Sequence, residues 1–472
     1  MFYRPKGKAV AADVIPYFEN GKYYLFYLKD HRNLEMVGEG CDWQLLVSED
    51  LIHFEEKGIV LERGKRNEQD LYVYTGSVIK KDQTYYIFYT GHNHHINGAE
   101  KILLATSNDL VDWKKEKEFC FSSTSEDLEI NDFRDPFVFY DEKNKEYVMV
   151  LTGRYKHLPL MQYKGALLKA TSKDLYHWKL SEKPFYNPDA YYTHECPDIF
   201  KIGDWYYLVF SEFVDRYVTT YRMAKSLEGP WISPKNNQFD GHAFYAAKSA
   251  FNGENRIMFG WNPIKDNELD DNAYWQWGGN IIPHEIYQLE DGTLGVRCPK
   301  SIRDNYERDL PLDIKTISGE AIINDKDILL NGKEKRTFVN LGKLRDNVKI
   351  ELDVIPLDDA GDFGIYLNEK ELFEYYFMVR FDPLYQRMIF DRWPRFDRTK
   401  YGHIDSERPL EIKKNKKNHI IVLVQGSVLE VYVDDVIAMS ERMFEKGENF
   451  GIHANLMNIK VENIIYKECK DE

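Results

Sequence analysis

Three acidic residues stand at comparable places in a sequence that repeats itself. Asp13 sits in Ala12-Asp13-Val14-Ile15-Pro16, ten residues before Tyr23. Asp135 sits in Phe133-Arg134-Asp135-Pro136-Phe137-Val138-Phe139, twelve before Tyr147, and Glu195 in His194-Glu195-Cys196-Pro197-Asp198-Ile199-Phe200, eleven before Tyr206. Apolar neighbours (Val14, Phe133, Phe137, Ile199) make an isolated carboxylate there costly. Convergent acids whose pKa values are pushed apart are machinery for cleaving glycosidic bonds. Arg134, beside Asp135, is expected to hold that carboxylate ionised. The plainer alternative is that each acid only accepts hydrogen bonds from a neighbouring backbone; three acids in one register weigh against it.

The register comes from an internal repeat of about sixty residues. Short aromatic-aliphatic runs recur at Tyr23–Tyr27, Tyr85–Tyr89, Tyr147–Leu151, Tyr206–Phe210 and Arg256–Gly260, each after a polar turn. A second echo trails the first four: Ser48-Glu49-Asp50-Leu51, Ser107-Asn108-Asp109-Leu110, Ser172-Lys173-Asp174-Leu175 and the looser Ser226-Leu227-Glu228-Gly229. Five copies of a mostly-strand unit predict a five-bladed β-propeller, because one blade cannot bury both faces of its sheet; a row of separate sandwiches is the alternative. The innermost strand of a blade lines the axial funnel. In blades two and five, Thr75-Gly76-Ser77 and Tyr245-Ala246-Ala247 occupy the place held by the acids elsewhere.

The repeat fades after Asp291-Gly292-Thr293-Leu294-Gly295-Val296. Residues 298–315 are Pro- and charge-rich and read as a linker, and 316–472 carry period-2 runs such as Val348-Lys349-Ile350-Glu351-Leu352-Asp353-Val354, the pattern of a β-sandwich. The expected fold is therefore all-β, with a propeller over 1–297 and a sandwich over 316–472.

Composition narrows the partners. Aromatics reach 15%, which suits pleated strands and stacking on sugar faces, and the formal charge of −15 repels phosphate backbones and anionic lipid. Five scattered cysteines without a CxxC pair indicate neither a disulfide framework nor zinc. No apolar run approaches the ~20 residues of a membrane span, and no apolar stretch follows the charged N-terminus. A cytoplasmic protein with a small carbohydrate substrate, no cofactor, no metal, no nucleic acid and no membrane is expected; a homo-oligomer is left open.

Several segments resemble glycoside hydrolase family 32, the invertase, levanase and fructanase family. Phe133-Arg134-Asp135-Pro136 is similar to its RDP motif, Glu195-Cys196-Pro197-Asp198 to its EC motif, and Tyr74-Thr75-Gly76-Ser77 to its FSGS segment. Asp240-Gly241-His242-Ala243-Phe244-Tyr245-Ala246-Ala247 and Trp277-Gly278-Gly279-Asn280 resemble its DxGxDFYAxQ and WAG segments, and Met388-Ile389-Phe390-Asp391-Arg392 a strand of its sandwich. The resemblance implies a retaining double displacement on a small β-fructofuranoside, with Asp13 as nucleophile, Glu195 as acid/base and Asp135 as transition-state stabiliser. It further implies substrate contacts from Arg134, Thr75, Ser77, His194, Tyr245 and Trp277. The family's WMNDPNG reads here as Val10-Ala11-Ala12-Asp13-Val14-Ile15-Pro16, so Asp13 is assigned by register. An inverting furanosidase or xylosidase on a related propeller, and a sugar-binding propeller without catalysis, are the competing functions.

Two clusters have readings apart from the acids. Gly91-His92-Asn93-His94-His95 lacks an acidic or Cys partner at helical spacing and reads as a solvated loop rather than a metal site. Lys29, His31 and Arg32 form a cationic run after the first aromatic strand, read as a solvated edge or a contact to polar substrate. Cys196 reads as a small buried side chain rather than a nucleophile.

Overall fold

The computed structural model describes residues 1–123, 125–156, 164–213, 216–271, 273–370, 373–393 and 404–470. Its contacts divide the chain into two units, Met1–Pro263 with Trp277–Leu294, and Ile264–Gln276 with Gly295–Glu472.

The first unit is the five-bladed propeller. Alternating aromatic and β-branched residues give strands that pack on both faces, and short polar turns return each strand antiparallel to the last. Blade one holds β1 (Val10–Glu19), β2 (Lys22–Asp30), β3 (Trp43–Ser48) and β4 (Glu55–Leu61). Blade two holds β5 (Tyr72–Lys81), β6 (Thr84–His92), β7 (Glu100–Ser107) and β8 (Lys114–Lys115), and blade three β9 (Leu128–Asp141), β10 (Glu146–Tyr155), β11 (Gly165–Ser172) and β12 (Lys179–Leu180). Blade four is β13 (Thr193–Ile202), β14 (Trp205–Phe213) and β15 (Val218–Ala224); blade five is β16 (Tyr245–Phe251), β17 (Arg256–Lys265) and β18 (Trp275–Gln288). β18 also pairs with β1, Ala11 opposite Gly279, so the last blade hydrogen-bonds to the first.

The second echo in the sequence has a structural cause. Ser48, Ser107 and Ser172 accept from the amides of Leu51, Leu110 and Leu175, while Asp50, Asp109 and Asp174 each accept from the two amides that follow that leucine. The three leucines turn with φ of 67°, 69° and 78° and are buried. The motif is thus a side-chain-capped turn that buries a leucine; Trp113 and Trp178 close it by donating to the leucine carbonyl.

The second unit is a sandwich of two antiparallel sheets. One orders Glu320–Asn324, Asp327–Asn331, Asn458–Cys469, Val348–Pro356, Asn418–Gln425, Val428–Val433 and Ile437–Arg442; the other orders Lys315–Ser318, Thr337–Lys343, Asn449–Asn455, Asp362–Lys370, Tyr375–Asp382, Arg387–Trp393 and Ile404–Pro409. The period-2 pattern is realised as expected: Val348, Ile350, Leu352 and Val354 face a core shared with Ile365, Val379 and Ile452. Two boundaries differ from the sequence expectation. Residues 298–315 are not a bare linker, since Lys300–Asp304 is helical and Tyr306–Asp309 pairs with Asn458–Cys469. Residues 264–276 join the second unit because Asp270 accepts the amides of Phe444 and Glu445 and Asp271 pairs with Arg392. Isolated polar residues carry both contacts, and no periodicity marks them.

Candidate active site

The acids owe their placement to a β-bulge repeated in the first strand of each blade. Pairing slips between Ala12 and Ile15 in β1, Tyr74 and Gly76 in β5, Arg134 and Phe137 in β9, Glu195 and Asp198 in β13, and Tyr245 and Lys248 in β16. At four of them a residue other than glycine takes a left-handed φ: Asp13 at 43°, Asp135 at 56°, Cys196 at 52° and Ala246 at 52°. Such conformations cost on the order of 1–3 kcal/mol each and persist where surrounding contacts over-determine them. Hydroxyls supply part of that constraint. Thr90 Oγ1 accepts the Asp135 amide at 2.8 Å, Ser211 Oγ accepts the Ala246 amide at 3.0 Å, and Thr152 donates to the carbonyl of His194. Each hydroxyl lies on the second strand of one blade and ties the bulge of the next.

This pattern corrects the expected register. Asp13 and Asp135 are equivalent, but their counterpart in blade four is Cys196. Glu195 stands one residue earlier, in line with Arg134 and Tyr245. A plain strand would send adjacent side chains to opposite faces; the bulge sets two residues against one on the partner strand and re-aims them. Glu195 thereby comes within electrostatic reach of the left-handed aspartates.

Asp13 accepts from Thr75 Oγ1 at 2.8 Å on Oδ2 and from Trp261 Nε1 at 2.9 Å on Oδ1. Glu195 accepts from Arg134 Nη2 at 2.9 Å on Oε1 and from the Tyr245 hydroxyl at 2.8 Å on Oε2. The donors belong together, since the Tyr245 and Trp261 rings meet edge to face at 5.4 Å. Asp135 accepts the Cys196 amide at 3.0 Å. Burial lifts Asp13 to about 6, opposed by the Thr75 and Trp261 hydrogen bonds and assisted by the charge of Glu195. Burial also lifts Asp135, to about 7, against the pull of Arg134 and with the repulsion of Glu195 and Asp13. Three acids thus share one electrostatic site, and two of them are poised near neutrality.

Arg134 behaves differently from expectation. Its closest approach to Asp135 is 3.9 Å from Nε, whereas its terminal nitrogens hold Glu195 at 2.9 Å, Asp132 at 2.9 Å and Glu100 at 3.1 Å. Burial works against its charge, but these carboxylates keep it firmly protonated. Its charge pulls Asp135 down, but across 3.9 Å that pull is outweighed by desolvation of the buried carboxyl.

Of the other anticipated contacts, Thr75 and Tyr245 touch the acids directly. Trp277 is 39% exposed and its ring meets that of Trp261 edge to face at 6.2 Å. Ser77 instead accepts the Val138 amide at 3.0 Å and links blade two to blade three. His194 is fully buried among Tyr186, Tyr191 and Phe210, and burial drives its pKa down to about 3. Neither residue joins the acid cluster: Ser77 follows the bulge of its strand and bonds the next blade, and His194 packs among aromatic rings. Cys196 is buried, with its thiol pushed well up by desolvation. Arg32 pairs with Asp30 at 3.2 Å and donates to the Trp277 carbonyl.

Sequence reasoning missed Lys248, Glu100 and Asp132. Lys248 is buried, donates to the Pro197 carbonyl at 2.8 Å, and lowers Asp13 by its charge. Its signal was present, a lysine directly after Tyr245-Ala246-Ala247 in a strand that must be buried.

Comparison with known proteins agrees with this architecture. The model for the glycosyl hydrolases family 32 N-terminal domain matches residues 14–293, opening one residue after Asp13, and that for the family 32 C terminal matches 320–467. The chain is 23% identical to a sucrose-6-phosphate hydrolase of Escherichia coli, over 91% of this chain and 85% of that one. It is 22% identical to a levanbiose-producing levanase of Bacillus subtilis (strain 168), over 93% and 84%. Among solved structures, fructan 1-exohydrolase IIa of Cichorium intybus in complex with 1-kestose shares the fold, with a TM-score of 0.76 at 16% identity over 100% of this chain and 97% of that one. With both halves matched in order, the chain belongs to glycoside hydrolase family 32 and is a retaining glycosidase.

Proposed function

We propose that the substrate is a small β-fructofuranoside, sucrose-like or a short fructooligosaccharide, and that Asp13, Glu195 and Asp135 perform its cleavage. Protonated Glu195 donates to the leaving oxygen while ionised Asp13 attacks the anomeric carbon, giving a fructosyl ester on Asp13 and a free alcohol. Glu195, now ionised, takes a proton from water, which attacks the same carbon and releases Asp13. Asp135, lifted to about 7, exchanges hydrogen bonds with sugar hydroxyls as either acceptor or donor. Arg134 and Tyr245 orient Glu195; Thr75 and Trp261 orient Asp13.

The observation that carries this reading is that the donors to Asp13 and Glu195, Trp261 and Tyr245, form one edge-to-face ring pair, which supports the two carboxyls acting on one bond. The activities of the relatives support a fructosyl group, and the partly exposed Trp277 supports contact with a short sugar. No helix among the described residues is long and apolar enough to cross a membrane. The described cysteines are all free, which supports a reducing compartment and hence cytoplasmic action on imported sugar.

The test is nucleophile rescue. Asp13→Ala and Glu195→Ala are expected to lose at least about a hundredfold in kcat with sucrose or 1-kestose. Added azide should give a fructosyl azide of retained configuration in Glu195→Ala and of inverted configuration in Asp13→Ala. Activity above a tenth of wild type in either variant would defeat the assignment.

A further inference from the structure

The histidine segment of the second blade acquires the acidic partner its sequence lacked. Glu39 lies on the loop between the short helix Leu34–Val37 and β3, and its Oε1 is 3.0 Å from His94 Nε2 and 3.0 Å from His95 Nε2; His95 Nε2 is 3.2 Å from Oε2. One ligand atom from each of the three residues lies within 4.8 Å of the others, and all three side chains are partly open to solvent. Around a tetrahedral ion with ligand bonds of about 2.0–2.1 Å, neighbouring ligand atoms stand about 3.3 Å apart. The imidazoles are already convergent on the carboxylate at nearly that spacing.

Both loops are built to hold the arrangement. Asn93, fully buried, donates to the carbonyls of Arg66 and Glu68 at 2.9 and 2.6 Å and accepts the His95 amide at 2.9 Å. On the other side, Arg63 donates to the carbonyls of Val37 and Gly40. Gly40, at φ 108°, lets the chain pass where a Cβ would meet the Leu71 carbonyl at 2.4 Å. The Tyr72 ring packs on His94 at 5.9 Å.

We propose that Glu39, His94 and His95 form a binding site for a borderline-soft divalent cation such as Zn2+, separate from the catalytic acids, with solvent completing the coordination. Two imidazoles with one carboxylate favour Zn2+, Co2+ or Ni2+ over Ca2+ or Mg2+, which take oxygen ligands. The site is mechanically close to catalysis: Tyr72 packs on Tyr74 at 5.5 Å, and the next residue, Thr75, holds Asp13.

Co2+ is the probe, titrated into the tag-free full chain at about pH 7.5, where imidazole is available as a ligand. A visible d–d band saturating at one equivalent is expected, with Zn2+ displacing it and raising Tm. Glu39→Gln, His94→Gln and His95→Gln should each weaken binding at least about tenfold, and Cys120→Ser should leave it unchanged. Absence of the band and of any Tm shift, binding that survives His94→Gln and His95→Gln, or loss of binding in Cys120→Ser would each overturn the proposal.

Discussion

Replacing Thr75 by valine keeps the shape of the side chain and removes one hydrogen bond to Asp13, the 2.8 Å contact on Oδ2. A hydrogen bond to a charged group contributes about 1.5–3 kcal/mol, and one pKa unit corresponds to about 1.4 kcal/mol. Trp261 still donates to the other oxygen, so the low end applies and Asp13 should rise by about one unit, from about 6 to about 7. Asp13 attacks as the anion, so the acid limb of kcat/KM moves the same way. From ionisation alone, Thr75→Val should fall about tenfold relative to wild type near pH 5 and by only about a tenth near pH 8. The assay is initial-rate hydrolysis of sucrose or 1-kestose from about pH 4.5 to 9, fitted as kcat/KM, whose limbs report the free enzyme. A limb that stays in place, or moves to lower pH, would refute the reasoning: Thr75 would then not be stabilising the charged form of a catalytic Asp13.

Trp261→Phe should move the same limb in the same direction, and its combination with Thr75→Val should move it further, because the two donors serve different oxygens. Asp135 is lifted by burial, so its ionisation costs folded stability as pH rises from the unfolded carboxylate range through about 7. Asp135→Asn is therefore expected to raise Tm by about 2–4 °C near pH 8 and by less near pH 5, read by calorimetry, while activity falls. Arg134→Met leaves Glu195, Asp132 and Glu100 without their shared cation and should cost about 3–5 kcal/mol in urea unfolding; equal stability would remove the argument for a buried network.

The fold was legible because its signals are repetitive. Five aromatic runs at one spacing and the Ser-x-Asp-Leu turn report hairpins that any blade must make, and the even alternation of Val348 to Val354 reports a sheet with one buried face. The acids were legible by position but their exact alignment was not. A bulge leaves no trace in composition, since the residues that take left-handed φ here, Asp13, Asp135, Cys196 and Ala246, are not the glycines that would announce it. Glu195 for that reason stands one residue out of line, and of the implied substrate contacts His194 packs among aromatic rings while Ser77 bonds the next blade. Arg134 was paired with its neighbour in sequence, whereas its partners come from 34 and 61 residues away as well as from Asp132 nearby.

The hydroxyls of Thr90, Thr152 and Ser211 act as keys, each locking the next sheet around the ring. The acid of blade three is held in its strained turn by a threonine of blade two that is itself fully buried. Tuning of this enzyme by mutation need not touch sugar: a methyl in place of a hydroxyl at position 90 would loosen a turn in the adjoining sheet and shift the poise of Asp135. A directed-evolution library confined to the pocket lining would never sample it.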